Sequence, residues 1–134
     1  NYKSDLIAAV ASVSGTMLNC TGPTSHPMPV VHLHGTSDGV VSYNGSNDWN
    51  SVQSTLEYWI SFNNTISTPT IDTDNTGGMT IEHYSYEQGD NAVSVEHYKY
   101  IGGDHVWFNE PYQGQNASEL VWNFMSRYDI NGLR

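Results

Sequence analysis

PVVHLHGTSD, residues 29–38, is the stretch on which the reading of the fold turns. A short run rich in valine and leucine, closed by Gly35, reads as a strand buried on both faces with a turn at its carboxyl end. Upstream, LIAAVASVSG (6–15) is a second apolar run of small and β-branched residues, again suited to a covered strand. Between them lies a Thr, Gly, Pro and Ser-rich loop (19–29). Downstream, Trp49, Val52, Leu56, Trp59 and Ile60 recur at helical spacing, which predicts an amphipathic helix capped by Ser46 or Asp48 and running to Phe62. Residues 63–78 are polar and aperiodic and read as a surface loop. TIEHYSYE (80–87) and SVEHYKYIGG (94–103) flank QGDNA and read as a hairpin. Last, ASELVWNFMSRY (117–128) places Ala117, Leu120, Val121, Phe124, Met125 and Tyr128 on one helical face. The order strand, strand, helix, hairpin, helix predicts an α/β domain over 1–134, a mostly parallel sheet flanked by helices with a β-hairpin at one edge.

Composition narrows the function classes. The chain has 134 residues, 37% of them hydrophobic and 13% charged, the profile of one globular domain. Its formal charge of −10 repels nucleic-acid phosphates and anionic lipid surfaces, so neither is an expected partner. No run reaches the ~18 apolar residues of a membrane span. The single cysteine, Cys20, permits no intrachain disulfide and reads as a small buried hydrophobe or half of a bridge to another chain. Four Asn-x-Ser/Thr triplets, at Asn19, Asn44, Asn63 and Asn116, follow from the Asn/Ser/Thr-rich composition.

Ligands in open α/β sheets bind beyond the carboxyl ends of strands, and two residues of the right chemistry sit there. Asp38 follows the second strand in HGTSD, and His105 follows the strand that ends near Ile101, in GGDHVWF (102–108). An aspartate that accepts from one imidazole nitrogen leaves the other free to take a proton from a nucleophile. The order, acid before base, agrees with hydrolases arranged Ser, Asp, His along the chain.

AAVASVSG, PVVHLHGTSDGVVSYNG, EYWISFN, GGDHVWF and ASELVWNFMSRY together resemble the C-terminal half of the polyhydroxybutyrate depolymerase and feruloyl esterase-like group of α/β-hydrolases. The resemblance implies that Asp38 is the triad acid and His105 the general base of a serine esterase, with Trp107 and Tyr43 bordering the substrate cleft. The family pattern has a third glycine before the histidine and a proline after the tryptophan, where this sequence has Asp104 and Phe108. The expected substrate is an ester, a polyester or an acylated carbohydrate, with no cofactor. An extracellular or periplasmic location goes with that expectation.

The nucleophile is missing. The one G-x-S-x-G match, GTSDG (35–39), leads into VVSYNG and not into a helix, and Ser14 lacks both the preceding glycine and a following helix. The expectation is therefore a partial α/β-hydrolase domain in which 6–14 follows an absent elbow helix, NYKSD is that helix's tail, and the chain alone is inactive. Its open sheet edge would self-associate or pair with an N-terminal half. Within the hydrolases, a peptidase or dienelactone-type relative shares the same acid and base. Two other readings compete. His32 and His34 share a strand face and, with His97, Asp38 or His105, could hold a metal ion. Tyr84, Tyr86, Tyr98 and Tyr100 could form the exposed platform of a carbohydrate-binding or adhesive module.

Overall fold

The computed structural model describes residues 3–18 and 22–134; Cys20 and the Asn19 triplet lie outside the described residues. Five strands form one sheet in the order β1-β2-β5-β4-β3, where β1 is Val10–Val13, β2 Val30–Gly35, β3 Thr70–Asp74, β4 Ile81–Tyr86 and β5 Val95–Tyr100. β1, β2 and β5 run parallel, β4 runs against β5, and β3 runs against β4. The mixed α/β sheet agrees with the fold class expected from the sequence, but the β4–β5 hairpin is not at its edge, because β3 lies outside β4. β2 is buried along its whole length, its valines and leucine together with His32 and His34 covered on both faces.

Each face of the sheet carries one helix. α1 (Val52–Asn63) presses Val52, Leu56 and Trp59 onto Met28, Val30, Tyr86 and Val95. α2 (Ala117–Met125) presses Ala117, Leu120 and Phe124 onto Val31, Leu33, Tyr98, Tyr100 and Phe108 on the other face. Alternation along the strands divides the side chains: even-numbered positions of β2 face α1, odd-numbered ones face α2. A short antiparallel pair, β6 (Tyr128–Asp129) with β7 (Gly132–Leu133), closes the chain. Among the described residues no helix is long and apolar enough to cross a membrane.

Several boundaries differ from the sequence expectation. α1 starts at Val52, not after Ser46 or Asp48, because Ser51 supplies the cap: its hydroxyl accepts from the Ser54 amide at 3.0 Å. Residues 46–50 spend their backbone elsewhere, with the Asn50 amide on Met17 O at 2.9 Å and Trp49 bridged to Leu18. The expected loop at 63–78 contains β3, an exposed edge strand that completes the outer side of β4. The first strand is shorter than 6–15, and Ser4–Leu6 forms one turn of 3-10 helix where NYKSD was expected to end a longer helix. α2 stops at Met125, and Tyr128 buries its ring from β6. Asn63, in one of the four triplets, is buried and closes its amide on both backbone groups of Met28, at 2.8 and 2.7 Å.

Candidate active site

Because β2 and β5 are adjacent and parallel, their carboxyl ends open on the same rim of the sheet, and the segments leaving them are stitched together. The Thr36 amide reaches Tyr100 O at 3.0 Å, the Ser37 amide reaches Gly103 O at 2.9 Å, and the Gly102 amide reaches Thr36 Oγ1 at 2.8 Å. Two glycines permit this closeness for different reasons. A Cβ on Gly35 would lie 2.2 Å from Gly103 O, so only glycine lets the two backbones meet. Gly102 has φ +77°, a left-handed conformation that other residues adopt at a cost.

Asp38 and His105 meet at this seam, with His105 Nδ1 3.0 Å from Asp38 Oδ2. The carboxylate is fully covered, whereas 38% of the His105 side chain is exposed. The other carboxylate oxygen, Oδ1, accepts the amides of Val40 at 2.8 Å and Val41 at 2.7 Å. Burial alone would raise the Asp38 pKa; these two amides and the His105 ring outweigh it and hold the carboxyl below its ordinary value. Asp38 is thus an anion at neutral pH, fixed by three donors. A carboxylate can only accept, so His105 Nδ1 carries the hydrogen and Nε2 is left for a proton from outside. Among the described residues Nε2 has no hydrogen-bond partner.

No protein-family model matches the sequence, and no curated protein does either.

Asp104 joins the two loops: its Oδ1 accepts from the Gly39 amide at 3.2 Å and from the His105 amide at 2.7 Å. Those two amides hold its carboxyl below the usual range. Trp107 is exposed beside His105, its indole N–H on Ser118 Oγ at 3.0 Å, on the α2 side. Tyr43 lies on the opposite, α1 side, half-buried, with its hydroxyl on His97 Nε2 at 2.8 Å. Trp107 and Tyr43 thus sit beside different helices, α2 and α1.

Ser14 follows β1 with φ 57°, an uncommon conformation for serine, and is buried. Its hydroxyl donates to Val106 O at 2.9 Å, not to an imidazole nitrogen, and residues 15–18 that follow form no helix. The residue tethers the His105 loop to β1.

The rings of His32, His34 and His97 are engaged with neighbours. His32 Nε2 faces His34 Nδ1 at 3.1 Å, His34 Nε2 lies 2.8 Å from Val41 O, and His97 bridges His32 O and Tyr43. Among the described residues no three His, Cys, Asp or Glu side chains are grouped to hold a metal ion. The four hairpin tyrosines do not form one platform. Tyr98 and Tyr100 are buried on the α2 face, while Tyr84 and Tyr86 lie on the α1 face with Tyr86 buried.

Proposed function

We propose that this chain carries the acid and base of a serine-type carboxylic-ester hydrolase, within the C-terminal portion of an α/β-hydrolase fold. The observation that supports this most directly is the Asp38–His105 pair at 3.0 Å, on adjacent parallel strand ends, with the second carboxylate oxygen taken up by two backbone amides. In the reaction, His105 Nε2 takes the proton of an attacking serine hydroxyl as its oxygen bonds to the ester carbonyl, and returns it to the departing alcohol. Asp38 fixes the tautomer and stabilises the imidazolium. The ester is one of a polyester or an acylated carbohydrate, approached past the exposed Trp107, in an extracellular or periplasmic setting. No cofactor takes part.

The serine and the oxyanion donors are supplied by a segment other than these 134 residues. The Ser14 hydroxyl, committed to Val106 O, favours that assignment over Ser14 as nucleophile. The chain alone should therefore hydrolyse p-nitrophenyl acetate no faster than a His105→Ala variant does. Turnover well above that background, abolished by Ser14→Ala, would overturn the assignment and make Ser14 the nucleophile.

A further inference from the structure

Beneath the Asp38 turn, on the α1 side of the sheet, lies a group of rings that the acid and base do not account for. His32 and His34 project from β2, His97 projects from β5, and all three are buried. The rings of His32 and His34 stack with an interplanar angle of 3°, and Tyr43 sets its ring edge-on to His34. Protons in this group can be placed by elimination. A backbone carbonyl only accepts, so His34 Nε2 carries a hydrogen and donates it to Val41 O at 2.8 Å. By the same rule His97 Nδ1 donates to His32 O at 2.7 Å, which leaves its Nε2 to accept from the Tyr43 hydroxyl.

Val41 is the residue on which this matters. Its amide donates to Asp38 Oδ1 at 2.7 Å while its carbonyl receives His34, so the turn from 38 to 41 is held from both sides. The same His34 nitrogen lies 3.3 Å from Asp38 Oδ2, the oxygen that receives His105. The side chain of His34 is wholly covered, and the His32 ring, meeting its Nδ1 at 3.1 Å, keeps it from turning over.

We propose that His34 is a positioning residue for the Asp38–His105 pair: its Nε2–H fixes the Val41 carbonyl and so holds the carboxylate in the orientation that keeps the His105 hydrogen on Nδ1. This rests on the acid–base reading of that pair. The motif HGTSD then carries two working side chains, the acid and, four positions before it, the imidazole that aims it.

The test reads tautomers of the full chain by long-range proton–nitrogen NMR of the histidine rings, and needs no turnover. In the unaltered protein His34 should be the Nε2–H tautomer and His105 the Nδ1–H tautomer. Replacing the ring by one of similar volume without the donor, His34→Phe, should move His105 toward the Nε2–H form and abolish its hydrogen-bonded Nδ1–H signal. His34→Gln, whose amide can donate to Val41 O, should retain that signal. If His34→Phe folds and keeps the His105 Nδ1–H signal intact, His34 only fills space and the proposal is wrong, while the acid–base pair stands. If His34→Phe does not fold, the unaltered protein decides: His34 found as its Nδ1–H tautomer overturns the proposal, and His34 found as Nε2–H, together with the His34→Gln result, upholds it. His105 without an Nδ1–H in the unaltered protein overturns both readings.

Discussion

At the scale of single residues, imidazoles without charge have a cost that depends on pH. Burial, reinforced for His32 by the facing imidazoles His97 and His34, pushes His32 well below its ordinary value, and burial brings His97 down to about 3. In an unfolded chain both rings take a proton at about 6.5. Between those values the unfolded state binds more protons than the folded one, so stability rises with pH across the window and is lost on acidification. Each ring that stays neutral removes about 1.4 kcal/mol per pH unit once the pH is well under 6.5. Asp38 and Glu96 act in a lower window. Both carboxyls are held below their ordinary values, so the stability they contribute is complete above about pH 4 and disappears as the pH falls through their folded values. The urea unfolding midpoint should therefore fall already between pH 6.5 and 5, before the carboxylates titrate. In His97→Gln, which keeps an amide in place of the ring, that decline should be shallower. A midpoint flat from pH 7 to 5 would mean that the rings are charged in the folded state.

Among the elements, α2 shows local sequence and tertiary placement agreeing. Asn116 Oδ1 accepts the Glu119 amide at 3.1 Å while Glu119 Oε2 accepts the Asn116 amide at 2.9 Å, a reciprocal cap that satisfies two of the helix's free donors. Asn116→Ala should lower stability by about 1 kcal/mol, and Asn116→Asp should restore most of it; equal denaturation midpoints for all three proteins would show that the cap is idle. The end of the helix is tied separately, because Arg127 pairs with the buried Glu96 on β5, which also takes His83 from β4 at 2.7 Å. α2 was legible in the sequence because it buries one face and so carries a hydrophobic period, β2 because it is a short apolar run closed by Gly35, and the β4–β5 hairpin because its β-rich runs flank a turn. β3 was not, since TIDTD is largely exposed and has no buried side to write an alternation. The start of α1 lies later than the helical period indicates because Trp49 fits that period yet is pinned to Leu18. In the site, Asp38 and His105 stood out as chemical residues at glycine-marked strand ends. Asp104, Ser14 and Tyr43 did not reveal their partners, which lie 65, 92 and 54 positions away and exist only once the sheet has formed.

For the molecule as a whole, the two borders of the sheet differ in how they meet water. β3 ends one side with Asp72 and Asp74, charges that discourage a further strand from adding there. β1 ends the other side with Val10, Ala11, Ser12 and Val13, and has no charge along it. Beside it runs a groove of about 360 Å³ lined by the apolar Ile7, Val10, Met28 and Trp59 and by the polar Lys3, Ser4 and Thr24, and Leu6 is exposed nearby. The amides of Val10 and Ser14 donate inward, to Pro29 O at 2.9 Å and Leu33 O at 2.8 Å, so those of Ala11 and Val13 point to the open side. An uncharged strand with outward-pointing donors beside a largely apolar groove should recruit another strand, and in a solution of this chain alone the available partner is a second copy. The net charge of −10 opposes that encounter, so association should strengthen as salt shortens the screening length to about 10 Å at 0.1 M. Sedimentation velocity should show a coefficient that rises with concentration, more steeply with added salt. Ala11→Pro removes one outward donor and leaves the inward hydrogen bonds in place, and it should remain monomeric under the same conditions. A wild-type chain that stays monomeric at the highest concentration in high salt would mean that the β1 border is closed by its own side chains and offers no template.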